Sequence, residues 1–79
     1  IVGAEIDLLV IKNGKKYGFE IKYSDTPSIT KSMQIAITDL KLAHLYVVTA
    51  GDAIYKKHEK ITILGIQCLQ DISFSDYLT

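Results

Sequence analysis

The sequence lacks arginine and tryptophan entirely, and its 79 residues include one cysteine and one proline. Without arginine, the chain cannot form the bidentate guanidinium hydrogen bonds by which arginine recognises guanine or phosphate. Because Cys68 has no second cysteine to pair with, no internal disulfide can form, and no segment resembles a secretion signal. We therefore expect a reducing, cytoplasmic location, and only weak, poorly sequence-specific contact between this chain alone and nucleic acid.

Net charge and long apolar runs are missing as well. Nine lysines balance nine acidic residues, which removes the broad positive field of proteins that bind nucleic acid tightly by themselves. No apolar run approaches the roughly 18–20 residues that cross a bilayer, so we expect no membrane partner. We predict a single globular domain over residues 1–79, and its start at Ile1 suggests a piece of a longer protein.

The first half of the chain predicts a hairpin and a helix. Two β-prone runs flank Asn13 and Gly14, a pair that favours the positive φ angles of a two-residue turn, so we predict an antiparallel hairpin over Glu5–Tyr23. Thr26 and Pro27 are typical of a helix start. Apolar residues then recur at helical spacing, which predicts an amphipathic crossover helix over Pro27–Leu42.

The second half predicts further strands in a mixed β-sheet of an α/β fold. Leu45–Thr49 is an unbroken β-prone run, typical of a strand buried on both faces and parallel to the one before the helix. Ile61–Ile66 predicts another strand. Residues 54–60 are lysine-rich and ambiguous, and residues 71–78 resemble a short terminal helix.

The hairpin turn also predicts which charged residues face one another. A two-residue turn pairs Lys12 with Lys15, and this register sets Asp7 opposite Glu20. Opposed Cβ atoms lie about 4.5–5.5 Å apart, so two carboxylates there repel unless a cation lies between them. Mg²⁺ binds through one or two carboxylates and keeps water and phosphate as its other ligands. We therefore predict a Mg²⁺ or Mn²⁺ site at Asp7 and Glu20.

Other side chains complete the predicted site. Lys22 lies on the same strand face as Glu20, where its ammonium could orient a water molecule or neutralise charge on the phosphorane. Gly18 on that face is predicted to leave space beside the carboxylates. Gln34 could reach the site from the polar side of the helix or be an ordinary exposed glutamine. The opposite strand face is apolar and predicted to meet the core; it carries Tyr17, Phe19, Ile21 and Tyr23.

An aspartate on one strand and Glu-x-Lys on the next, followed by a helix and a strand, resembles the PD-(D/E)XK nuclease superfamily. More narrowly, EIDLLVIKNGKKYGFEIKYS with the later LYVVTAGD resembles the nuclease-like C-terminal domain of a family of prokaryotic AAA+-type ATPases. The resemblance covers about the first two-thirds of the chain and implies a restriction-endonuclease-like core. It implies that Asp7 and Glu20 bind the metal and Lys22 assists the attacking water, with Glu5 a candidate additional acid.

Three functional hypotheses follow. The first is a Mg²⁺-dependent nuclease acting on DNA or RNA, with the ATPase domain of a longer parent supplying affinity or movement. The second is a non-catalytic module of the same fold that docks the ATPase onto a partner or nucleic acid, because fold alone does not establish activity. The third is a toxin-like or regulatory fragment of a small α/β protein unrelated to nucleases, which requires a different hairpin register. Separately, Glu5, Asp7, Glu20 and Lys22 could form an ordinary solvated polar strand face.

Overall fold

The computed structural model describes residues 6–24 and 26–69. Glu5 and the predicted helix at residues 71–78 lie outside this part of the chain. Its elements are β1 (Leu8–Lys12), β2 (Lys15–Ile21), α1 (Lys31–Asp39), β3 (His44–Thr49), β4 (Ile54–His58), β5 (Ile61–Gly65) and a 3₁₀ turn (Ile66–Leu69). Among residues 6–24 and 26–69, no helix has the length and hydrophobicity that a transmembrane span requires.

The five strands form one mixed sheet in the order β1-β2-β3-β5-β4. Strands β2, β3 and β5 are parallel, whereas the edge strands β1 and β4 run antiparallel to their neighbours. Helix α1 connects β2 to the parallel β3, which confirms the predicted crossover. The molecule is a small mixed α/β domain, and the carboxyl ends of its three parallel strands meet at one edge of the sheet.

The hairpin forms with the predicted turn and register. Asn13 and Gly14 have φ angles of 54° and 76°, as a turn with positive φ at both central residues requires. Lys12 pairs with Lys15, and the pairing continues to Leu8 opposite Phe19. The strands are shorter than the predicted span because regular pairing stops at Leu8.

The helix begins later than predicted, and the assignment of its start to Thr26 and Pro27 is wrong. Thr30 is the N-cap: its Oγ1 accepts a hydrogen bond from the Met33 amide at 3.2 Å. The Met33 sulfur in turn accepts from the Thr30 amide at 3.5 Å. This reciprocal pair satisfies two amides that the first helical turn leaves unpaired, so the helix starts after Thr30.

The helix also ends before the predicted Leu42. Lys41 has a φ of 53°, and the Leu42 and Lys41 amides donate to the carbonyls of Ile37 and Thr38 at 3.0 and 3.3 Å. This is the Schellman arrangement, which favours glycine at the left-handed position that Lys41 occupies.

Replacing Lys41 by glycine should therefore stabilise the fold. The left-handed conformation costs a residue with a Cβ about 1–2 kcal/mol, and the greater freedom of glycine in the unfolded chain offsets part of that. We expect Lys41→Gly to raise the free energy of unfolding by about 0.5–1 kcal/mol in urea denaturation followed by circular dichroism. Lys31→Gly, the same change in the first helical turn, should lower it, and a loss of stability in Lys41→Gly contradicts the assignment.

Apolar side chains fill both faces of the sheet. The cluster beneath α1 consists of Met33, Leu42, Leu45, Val47, Ile61 and Ile63. The cluster on the opposite face consists of Tyr17, Phe19, Tyr46 and Leu64. Because β3 contributes to both clusters, the prediction of a strand buried on both faces is confirmed.

The charged face of β2 turns out to be the helix-covered face. A Cβ added to Gly18 would lie 2.8 Å from Leu42 Cδ1 and 3.1 Å from Leu45 Cδ1. Gly18 therefore makes room for the core, and the prediction that it leaves space beside the carboxylates is wrong. Ile21 and Tyr23 are 58% and 93% exposed, so the predicted burial of the other face holds only for Tyr17 and Phe19.

The ambiguous lysine-rich segment forms the edge strand β4. Its pairing with β5 shifts register between Lys56 and His58, which is a β-bulge. Exposed lysines and a bulge are devices that keep an edge strand from pairing with other chains. The strand predicted at Ile61–Ile66 is present as β5 and ends one residue earlier.

Candidate functional site

Glu20 lies near the carboxyl end of β2, on the helix-covered face and beside Val47 of β3. Its side chain is 14% exposed, and the Lys22 ammonium lies 3.7 Å from its Oε1 atom. The other carboxylate oxygen, Oε2, is buried and has no hydrogen-bond partner among the described residues. Because a buried, unpaired carboxylate oxygen is energetically costly, this atom is a natural ligand for a cation.

Asp7 lies directly before β1 and caps the end of the hairpin. Its Oδ2 accepts a hydrogen bond from the Ile21 amide at 2.7 Å, and its own amide donates to the Phe19 carbonyl at 3.0 Å. The carboxylate thus replaces the backbone carbonyl that a longer β1 would offer to Ile21. Its other oxygen, Oδ1, has lone pairs available to a further ligand.

The predicted site residues therefore differ in their surroundings. Glu20 and Lys22 form an ion pair, whereas the Asp7 carboxylate accepts a hydrogen bond from the backbone amide of Ile21. In residues 6–24 and 26–69, no three histidine, cysteine, aspartate or glutamate side chains gather closely enough to hold a metal ion by themselves. Glu5 is outside the described residues, and Gln34 is exposed on α1.

A groove borders this site at the carboxyl ends of the parallel strands, where ligands of open α/β sheets bind. One cavity of about 360 Å³ has walls that include Thr26, Thr49, Asp52, Tyr55 and Gln67. A second, of about 220 Å³, is lined by Lys22, Ser24, Thr26, Pro27, Ser28 and Thr30. Thr26 borders both. Apart from Lys22, we did not predict these residues as site residues from the sequence, although the position of Thr49 at the end of a buried strand was an available signal.

The wall formed by residues 50–53 is anchored to the last residue of β5 and to the 3₁₀ turn that follows it. The Gly65 amide donates to the Ala53 carbonyl at 2.8 Å, and the Gln67 side-chain amide donates to the Ala50 carbonyl at 2.9 Å. At the base of the groove, Thr49 is 3% exposed and its Oγ1 accepts from the Gly51 amide at 3.2 Å. This part of the groove wall is therefore backbone that is held in place by hydrogen bonds from Gly65 and Gln67.

Titratable side chains also lie on the opposite sheet face, away from the groove. His44 Nε2 lies 2.7 Å from Thr62 Oγ1. Burial, and secondarily the positive charge of Lys56, lower the pKa of His44. Burial raises the pKa of Tyr46, whose ring lies 4.8 Å from that of His44. These groups form part of the aromatic core on that face.

The chain is similar to two mycobacterial proteins, Uncharacterized protein Rv2008c of Mycobacterium tuberculosis and Uncharacterized protein Mb2031c of Mycobacterium bovis. Each is 53% identical over 49 residues, which is 62% of this chain and 11% of the relative. No solved structure matches the chain. The profile of one family matches residues 2–69. The chain therefore belongs to the family described as Domain of unknown function (DUF4143).

Proposed function

We propose that this chain is a metal-dependent nuclease domain with a restriction-endonuclease-like core, which hydrolyses phosphodiester bonds in nucleic acid. In this proposal, Asp7 and Glu20 bind a Mg²⁺ or Mn²⁺ ion, and Lys22 orients the attacking water molecule. The observation that carries it is the buried Oε2 atom of Glu20, which has no hydrogen-bond partner among the described residues and belongs to a carboxylate paired with Lys22, a residue that lines the groove.

The donor set fits a hard divalent cation. Carboxylate oxygens suit Mg²⁺ and Mn²⁺, and Mg²⁺ binds through as few as one or two carboxylates. Glu20 offers an oxygen with no protein partner among the described residues. Asp7 offers the carboxylate oxygen that Ile21 does not use. A site with two protein ligands does not require a cluster of three acidic or histidine side chains.

The side chains of the chain have distinct roles in the proposed reaction. A bound divalent ion supplies Lewis-acid polarisation of the phosphate and lowers the pKa of a bound water. Lys22, 38% exposed and 3.7 Å from Glu20, can donate a hydrogen bond to the attacking water or to a phosphate oxygen. The Ile21 amide holds the Asp7 carboxylate in one orientation, so little rearrangement is needed before a ligand binds.

The domain is proposed to act as the C-terminal part of an AAA+-type ATPase. The region of similarity makes up 11% of each mycobacterial relative, so a longer parent is expected. The chain itself has no net charge, so we expect the domain alone to bind nucleic acid weakly. In this proposal, another part of the parent protein supplies the affinity.

A second candidate function is a non-catalytic module of the same fold that docks the ATPase onto a partner or nucleic acid. The Asp7 contact favours it, because a carboxylate that accepts the Ile21 amide at 2.7 Å already has a structural task. Under this hypothesis Glu20 and Lys22 form only a local ion pair, and neither Asp7 nor Glu20 binds a metal ion.

Metal titration separates the two candidates. We expect Mn²⁺ to bind the chain at one site in isothermal titration calorimetry, and Glu20→Gln to weaken that binding by at least about tenfold, as loss of a metal-supporting group typically does. Glu59→Gln, a matched change at an exposed position, should leave it unaltered. Equal Mn²⁺ binding by Glu20→Gln and the unaltered chain would remove the metal-site proposal and leave the docking module.

A further inference from the structure

We propose that the groove at the carboxyl ends of the parallel strands binds one unpaired nucleotide, so that the substrate is a single-stranded end or flap and not an intact duplex. This inference rests on the proposed nuclease function and specifies its substrate class. It is carried by the two cavities that meet at Thr26 and by the side chains on their walls.

The larger cavity reaches a buried residue, Thr49, at its wall. Thr49 lies on its wall and is only 3% exposed, so a ligand that contacts this residue must penetrate below the surface. The volume of about 360 Å³ is at the lower end of the range for small-ligand sites, about 300–1,000 Å³. A base within a duplex is stacked and paired, and it must leave the helix to enter such a pocket.

The walls of this cavity offer contacts suited to an unpaired nucleotide. Tyr55 can stack against a base, a contact that tolerates any base because every base has a π-face. The Thr49 hydroxyl accepts a hydrogen bond from Gly51 and still has its own proton to donate. The Asp52 carboxylate can accept hydrogen bonds from a base amino group or a sugar hydroxyl, and it repels phosphate.

The smaller cavity complements the larger one. Lys22 contributes a positive charge to its wall, and Ser24 and Ser28 contribute hydroxyls, which are donors that commonly contact phosphate. With Lys22 at one end of the groove and Asp52 at the other, a nucleotide is oriented with its phosphate toward Lys22. The phosphate then lies on the Glu20 side of the groove, since Lys22 is paired with Glu20.

The test is metal-free binding, measured by fluorescence anisotropy of a labelled oligothymidylate in EDTA. We expect unlabelled single strand to compete at least about tenfold better than a blunt duplex of equal length. Thr26→Val should weaken binding about threefold to tenfold through loss of one hydroxyl contact. Tyr55→Leu should weaken it about tenfold, whereas Tyr55→Phe, which keeps the ring, should retain it.

Matched controls are Thr38→Val on the exposed side of α1 and Tyr23→Leu at a site 93% exposed, both of which should bind as the unaltered chain does. Equal competition by duplex and single strand, no saturable binding, or unchanged affinity in both Thr26→Val and Tyr55→Leu would overturn the inference. Intact groove binding without any metal-dependent cleavage would instead support the groove and count against the proposed catalytic function.

Discussion

Nucleic-acid cleavage in the presence of Mg²⁺ or Mn²⁺ should fall by about a hundredfold to a thousandfold in Glu20→Gln and in Lys22→Met, a loss typical of removing one group that stabilises transition-state charge. Glu20→Gln removes the carboxylate charge at the unpartnered oxygen. Lys22→Met keeps the apolar stem and removes the ammonium. The measurement is the rate of release of labelled fragments from single-stranded DNA, in this chain and in the longer ATPase proposed to carry it.

Asp7→Asn provides a sharper version of the same experiment. The asparagine oxygen can still accept the Ile21 hydrogen bond that Asp7 makes at 2.7 Å, so the hairpin end should stay folded while the negative charge is lost. We expect the same large loss of cleavage with unchanged thermal stability. A drop in stability without a drop in cleavage would mean that Asp7 serves only as the cap of the strand end.

Matched variants at exposed positions control for nonspecific effects of charge. Asp39→Asn, Glu59→Gln and Lys31→Met repeat the three changes at exposed positions outside the site, and each should cleave as the unaltered chain does. If the site variants and their controls cleave equally well, the nuclease assignment of Asp7, Glu20 and Lys22 is wrong.

Gly65→Ala should be the most destabilising small substitution in the described part of the fold. A Cβ at this position would lie 2.6 Å from the Gly51 carbonyl oxygen, and 2.7 and 2.8 Å from the Ala53 nitrogen and oxygen. All three are backbone atoms, so relief requires the loop at residues 50–53 to move away from β5. We expect a loss of about 3 kcal/mol, at the upper end for overpacking and a large part of the stability of so small a domain.

Chemical denaturation of Gly65→Ala against Gly18→Ala tests this expectation. At Gly18 the added Cβ meets the side-chain ends of Leu42, Leu45 and Ile6, which can shift, so we expect a loss of only about 1 kcal/mol. Because the 50–53 loop also forms the groove wall, Gly65→Ala should weaken oligonucleotide binding even where it remains folded. Equal stability of the two variants would contradict a rigid anchor at Gly65.

Part of the candidate site could be anticipated because its determinants are local. Glu20 and Lys22 share one face because side chains two residues apart on a strand do so. The hairpin register follows from Asn13 and Gly14, which fold the turn through their own backbone angles. The surroundings of Asp7 could not be anticipated, because they depend on where regular pairing stops. Once the ladder ends at Leu8, the Ile21 amide needs an acceptor, and the Asp7 carboxylate supplies it.

The amino-acid sequence by itself determined the hairpin, the amphipathic face of α1 and the burial of β3, because turn angles and hydrophobic periodicity act between near neighbours in the chain. The tertiary structure decided the strand β4 and the face of β2 that the helix covers. The start of α1 was decided locally, by the reciprocal hydrogen bonds between Thr30 and Met33, whereas β4 formed by pairing with β5 despite its lysines. The groove likewise belongs to the tertiary structure, since Lys22, Thr49 and Gln67 come from separate segments that meet only when three parallel strands align their carboxyl ends.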